Sequence, residues 1–215
     1  MEQSAFTEFD FEGFKNSRPV RCNSELLFNF LLLLEWDTQV DSYFQSQVEI
    51  TITHNKCKHR TNTDLWVKYK NQTEKLIHLL DAEATQLYSD QPALFTKVKR
   101  ACSAPGWRYT AVKENQISRQ PINYNLRRLW HYARLEIRLG HRLLVGEFFR
   151  TERTPTFGKL KALLMKFDFP SEYVYTFIFH KLVLADVSFF AITEDTPLIS
   201  GDYAVRTEHI KFAAA

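Results

Sequence analysis

The sequence predicts an α/β fold in two parts. Residues 1–118 read as a mixed sheet flanked by helices, and residues 119–215 as a mainly helical domain. Two patterns support this division. Between Gln47 and Val112, short segments read as strands between turn signals, two of them alternating apolar and polar residues at period 2, with one helical interruption. Past Pro121 the apolar residues recur at helical spacing, so a boundary falls at Ser118–Pro121. The composition is 45% hydrophobic and 14% aromatic with 18 Phe, against seven Pro and six Gly, enough for a substantial core.

The elements follow in order. "NSELLFNFLLLLEWD" predicts a buried helix over Ser24–Trp36, with Asn23 or Ser24 as its N-cap. "QVEITIT", Gln47–Thr53, alternates as a half-buried strand does, and "HNKCKHR" reads as a polar hairpin connection. "TDLWVKYK" is a second strand, "NQTE" a turn and "KLIHLLDA" a third, more buried strand. Glu83–Arg100 reads as a helix, "SAPG" breaks the chain, and "WRYTAV" is a fourth strand. A meander followed by a helical crossover implies a small mixed sheet. In the second part Leu126–Leu144 reads as one long basic helix and Lys159–Lys166 as another. "SEYVYTFIFHKLVLAD" reads as a further helix opened by Ser171, and "FFAITEDTPLI" as a terminal hairpin.

Cys22, Cys57 and Cys102 are odd in number and lack CxxC spacing, which predicts free thiols in a reducing cytosol. The opening "MEQSAFTEFDFEGF" is acidic, unlike a signal or transit peptide, and no apolar run approaches the ~20 residues of a membrane span. The expectation is a cytoplasmic protein with no membrane partner. A net charge of +3 names no partner, so charge placement must.

Several stretches together resemble one family. "SELL…LLLLEWD", then "TQVDSYFQSQVEI", "TNTDLWV", "KLIHLLDAEA", "GWRYTAVKENQI", "NLRRLWHYAR" and "FHKLVLADVSFFAITEDTPL" are similar, in order and spacing, to the TnsA family. That family is the endonuclease subunit of heteromeric transposases in Tn-seven-type transposons, and the resemblance covers most of the chain. It implies a restriction-endonuclease-like domain over 1–118 and a helical, winged-helix-like domain over 119–215 for DNA and partner binding. It further implies double-stranded DNA at transposon ends as substrate, with a DDE-type transposase subunit and an AAA+ regulator ATPase as partners, in a bacterial, nucleoid-associated setting. An intact member cuts the 5′ strand at the ends with Mg²⁺ or Mn²⁺.

Phosphodiester hydrolysis of that kind needs carboxylates to hold the ion and a lysine beside the attacking water. The family spacing places the helix acid at Leu27, while Glu25 lies ~200° around the helix from it. Asp64 matches the strand acid and is the retained position, the metal ligand if there is one. The lysine falls at Leu80 or Asp81, and the residue two before it is His78 or Leu79. Leu27 and Asp81 are therefore degenerate positions, with Glu25 and His78 as candidate substitutes. The plainer readings are an acid capping a turn for Asp64, a satisfied core imidazole for His78, and a structural pair for Glu25 and Asn29. His54, Cys57 and His59 have metal-binding side chains but lack a fourth ligand.

Arg127, His131, Arg134, Arg138 and Arg142 fall within an arc of ~80° on a continuous helix. Leu129, Tyr132, Ala133, Leu139 and Leu143 lie opposite and are expected in the core. Such a stripe suits phosphate contact, and Arg150, Arg153, Lys159 and Lys161 extend it; the competing reading is a solvated face. Three functions follow: a catalytically impaired TnsA-like assembly subunit, an active metal-dependent endonuclease with a variant site, or a repurposed DNA-binding regulator. Whether the chain is an enzyme stays open on the sequence.

Overall fold

A computed structural model describes residues 6–201. The chain divides into two compact units between Arg119 and Gln120.

In the first unit, β1 (Phe9–Phe11) pairs antiparallel with β2 (Val20–Cys22), and α1 (Glu25–Trp36) follows. Ser24 caps α1 by accepting from the Leu27 amide at 3.2 Å. Then come β3 (Val40–Gln45), β4 (Glu49–His54), β5 (Cys57–Asn62), β6 (Leu65–Tyr69) and β7 (Glu74–Leu80). Helices α2 (Ala82–Asp90) and α3 (Pro92–Ser103) lead to β8 (Tyr109–Lys113) and the short α4 (Glu114–Ile117). The four-stranded sheet runs β3-β6-β7-β8, antiparallel except for the parallel β7–β8 pair that the helical crossover joins. This is an α/β unit with a mixed sheet flanked by helices.

Three details depart from the sequence reading. The strand predicted over Gln47–Thr53 is not in the main sheet: β4 pairs with β5 as a separate ribbon. Its partner comes from the stretch read as a connection, around a two-residue turn at Asn55 and Lys56 with φ 50° and 64°, the pairing suited to a tight hairpin. The sheet's edge strand is instead β3, whose register shifts between Val40 and Ser42 and so hides its alternation. The helix read over Glu83–Arg100 is two helices, because Pro92 has no N–H to continue the first and begins the second.

The β4–β5 ribbon closes over one sheet face with α3. Ile50, Leu76, Val98 and Cys102 form a buried cluster there, with Trp66, Trp107 and Tyr109 packed against it. The opposite face carries Tyr43, Val67 and Ile77, all buried, and α1 lies on this side.

The second unit contains α5 (Ile122–Tyr132), α6 (Leu139–Thr151), α7 (Phe157–Lys166) and α8 (Tyr173–Phe179), with β9 (Val183–Leu184) paired to β10 (Ile199–Ser200). The single helix predicted over Leu126–Leu144 is broken. Thr176 Oγ1 donates to the Tyr132 carbonyl at 2.8 Å and His180 Nε2 to that of Ala133 at 2.7 Å, so α8 satisfies the carbonyls that end α5. At the other side of the break the Arg138 amide donates to His141 Nδ1 at 3.1 Å, which fixes the start of α6. "FFAITEDTPLI" is not a hairpin, since Ile199 and Ser200 pair back to Leu184 and Val183. The "YVYTFIF" aromatics lie in α8, where Val174–Ile178 are buried.

Candidate functional site

Asp64 is set at the entrance to β6 by its backbone. Its amide donates to the Ile77 carbonyl at 2.9 Å, and its carbonyl accepts from Ser46 at 2.8 Å, tying it to β7 and to the exit of β3. Its Oδ2 accepts from the Leu79 amide at 2.7 Å. Burial raises the carboxyl to about 6, against the opposing pull of that backbone bond. The group is thus a partly desolvated acid that titrates just below neutrality.

His78, on β7, is fully engaged. Nδ1 lies 2.8 Å from Tyr109 Oη and Nε2 lies 3.2 Å from Thr61 Oγ1. Burial lowers it to about 4, with Asp81 pulling weakly the other way, so the ring is neutral. A neutral imidazole has one donor and one acceptor nitrogen, and here both face a hydroxyl. Any metal would have to displace one of them.

The other candidates are committed elsewhere. Asp81 caps α2, with Oδ1 accepting from the Ala84 amide at 2.7 Å. Leu27 is buried in the α1 core. Glu25 begins α1 in an exposed position, and Asn29, one turn on, is buried. His54, Cys57 and His59 lie on the β4–β5 ribbon, where ladder spacing leaves the two imidazole centroids 6.2 Å apart. Among the described residues no three His, Cys, Asp or Glu side chains come together as metal ligands. One carboxylate, already bonded to an amide, does not fit Mg²⁺ or Mn²⁺, which need several oxygen ligands.

The basic residues do not form one stripe. Arg127 lies in α5, Arg134 beyond its end, Arg138 just before α6 and Arg142 within α6. The break in the predicted helix scatters them over two helices and a link. Arg134 sits over the Trp130 ring at 5.6 Å, and Arg138 Nε bonds Glu136 at 3.0 Å. Leu129 and Ala133 are buried as expected, but Leu139 and Leu143, expected in the core, are 71% and 65% exposed. The downstream basic residues meet acids: Arg150 pairs with Glu147, Lys159 with Glu152 at 3.0 Å and Lys161 with Glu194 at 2.7 Å. These pairs reduce the local positive field.

Two buried polar anchors escaped the sequence reading. Glu35, at the end of the apolar run in α1, accepts from Tyr43 Oη at 2.5 Å and from the Lys15 amide at 3.3 Å. Lys15 Nζ donates to the Leu34 carbonyl at 2.7 Å and to that of Asp37, so the N-terminal arm caps the end of α1. The second anchor is Asn125, fully buried in α5, whose amide holds the loop at residues 187–192. A charge ending an apolar run hints at the first; only the fold shows the second.

No protein-family model matches the chain, and no curated protein matches it.

Proposed function

We propose that the chain is a TnsA-like subunit of a heteromeric transposase whose nuclease-like unit acts as a scaffold without cutting. It binds double-stranded DNA at transposon ends and joins a DDE-type transposase subunit and an AAA+ regulator. One observation carries the non-cutting part of this reading. Asp64 stands alone at the sheet end, with buried Leu27 where the helix acid belongs and Asp81 spent on capping α2. The mixed sheet with its parallel β7–β8 crossover supports a nuclease-like unit. In this reading the second unit is winged-helix-like and contacts DNA and partners, with Arg127, Arg134, Arg138 and Arg142 contributing as separate phosphate contacts. Among the described residues no helix is long and apolar enough to cross a membrane.

The test is a nicking assay on transposon-end DNA with Mg²⁺ and with Mn²⁺, in the presence of the partner transposase, for wild type and Asp64→Ala. The expected result is no nicking at the 5′ strand by either protein, with strand transfer by the partner depending on the chain. Nicking abolished by Asp64→Ala would establish a working endonuclease and overturn the proposal. Strand transfer that is indifferent to the chain would remove the transposase reading altogether.

A further inference from the structure

His54, Cys57 and His59 share one face of the β4–β5 ribbon. The turn at Asn55 and Lys56 sets His54 directly opposite Cys57, and His59 follows Cys57 two positions along β5. Towards the base of the ribbon the same face carries Ile50 and Ile52, which pack into the cluster over the sheet. Thr61, also on that face, lies 3.2 Å from His78 Nε2. Burial falls away towards the tip, from Ile50 through the half-buried Ile52, His54 and His59 to the exposed Cys57. The ribbon is thus anchored at its base and carries three metal-binding side chains at its uncovered end.

None of the three is spent on holding the fold. Among the described residues neither imidazole has a hydrogen-bond or ion-pair partner, and the two rings face each other. Two imidazoles this close, with no acceptor beside them, suit the neutral form, whose free lone pair binds metals. Cys57 is a free thiol and exposed, whereas Cys22 and Cys102 are buried. Lys56 sits in the turn, but Lys58 and Arg60 pair with Thr53 and Thr51 on the other face of the ribbon.

A bound ion asks for side-chain rotation and no change of register. Zn²⁺ takes imidazole nitrogen at about 2.0–2.1 Å and thiolate sulfur at about 2.3 Å in a tetrahedron, so two ligating rings have centroids about 5 Å apart. Here the centroids are 6.2 Å apart, and among the described residues no three ligands already converge on one point. The rings must close by about 1 Å, within reach of rotation at χ1 and χ2 for exposed and half-buried side chains on a fixed hairpin. Directly opposed strand residues have Cβ atoms about 4.5–5.5 Å apart, and diagonal neighbours are within reach of long side chains, which suits a shared ion. A thiolate with two imidazoles selects Zn²⁺ over the harder Mg²⁺.

We propose that His54, Cys57 and His59 bind one Zn²⁺ ion at the tip of the β4–β5 ribbon, through two imidazole nitrogens and the thiolate sulfur, with water in the fourth tetrahedral position. The Cys57 thiol gives its proton to solvent as the ion binds. Three protein ligands leave the open position that a closed four-ligand structural site lacks. The site uses none of the residues around Asp64, and the inference does not rest on the nuclease-scaffold reading.

Cobalt(II) substitution in the full chain tests it, followed by competition with Zn²⁺. Wild type should bind one Co²⁺ with a thiolate-to-metal charge-transfer band and the visible bands of a tetrahedral ion, and one equivalent of Zn²⁺ should erase both. Bound Zn²⁺ should also shield Cys57, the exposed thiol, from a thiol reagent. Cys57→Ser should abolish the charge-transfer band, and His54→Gln and His59→Gln should each weaken Zn²⁺ binding by at least on the order of 100-fold. Lys58→Gln, on the opposite face, should bind as wild type does. Circular dichroism of the variants should be unchanged, and the wild-type spectrum and thiol protection stand whether or not a variant folds. A wild type without the charge-transfer band, a band that survives Cys57→Ser, or a histidine variant that binds Zn²⁺ as tightly as wild type overturns the proposal. An octahedral cobalt spectrum, the mark of adventitious surface binding only, overturns it as well.

Discussion

Replacing Asp64 by Asn is expected to stabilise the first unit at neutral pH, and the size of the gain follows from the burial of the carboxyl. Burial lifts its pKa from 3.8 to about 6. At about 1.4 kcal/mol per unit, holding the ionised form in place costs about 3 kcal/mol at pH 7. Asn is close to an isostere of the protonated acid and keeps an acceptor for the Leu79 amide, so Asp64→Asn should recover about 2–3 kcal/mol. The sign is fixed by proton linkage. Between pH 4 and 6 the native state binds more protons at Asp64 than the unfolded chain does, so its contribution falls as pH rises and is flat above about 6. His78 runs the other way. Its pKa is about 4 when folded and 6.5 when unfolded, so its contribution is lost as pH falls through that window. In wild type the two slopes largely cancel between pH 4 and 6. In Asp64→Asn only the His78 slope is left, about 1.4 kcal/mol per pH unit.

Urea unfolding at pH 4, 5, 6 and 7 measures this, followed by tryptophan fluorescence in a Trp130→Phe background. Trp36, Trp66 and Trp107 then report from the first unit alone. The gain from Asp64→Asn should be near zero at pH 4 and full by pH 7. A variant less stable than wild type at pH 7, or a gain equal at pH 4 and pH 7, would refute the reasoning. Stabilisation of wild type but not of Asp64→Asn by added Mg²⁺ would reveal a metal ligand and refute it by another route.

Two further substitutions test the anchors. A Cβ at Gly13 would lie 2.2 Å from both Glu35 Oε1 and Tyr43 Oη, so Gly13→Ala must separate a buried hydrogen-bonded pair; thermal denaturation should show a loss of about 2–4 kcal/mol. Asn125→Ala leaves the Val187 and Phe190 carbonyls and the Ile192 amide without their partner, and hydrogen exchange should show the Ile192 amide deprotected, with a stability loss of about 2–4 kcal/mol.

Much of the first unit could be read along the chain because its signals are local. The Ser24 cap, the alternation of Leu65–Tyr69, the mostly apolar run of Leu76–Leu80, and the apolar spacing of Leu94, Val98 and Cys102 are set by neighbours a few residues apart. The misses share a physical cause. Strand β3 was hidden by a bulge, and the ribbon by polar residues that turn out to be strand. The break between α5 and α6 depends on Thr176 and His180, more than 40 positions away, which compete for the carbonyls that would have continued the helix. Helical periodicity cannot register such a partner, so the basic stripe drawn on Leu126–Leu144 dissolves in three dimensions.

The candidate site divides the same way. By itself the sequence determined the residue types at the candidate site: Leu27 in the first long helix, Asp64 beside one strand, and His78 and Asp81 in and just after the next. Only the tertiary structure decided what those residues do, because each role depends on a partner or on burial. Asp81 caps a helix, His78 is held between Thr61 and Tyr109, and Asp64 gives an oxygen to the Leu79 amide. The same holds for the paired Phe189 and Phe190. In sequence they are two apolar residues in a short loop, and only the tertiary structure leaves both exposed on backbone that a distant Asn125 holds.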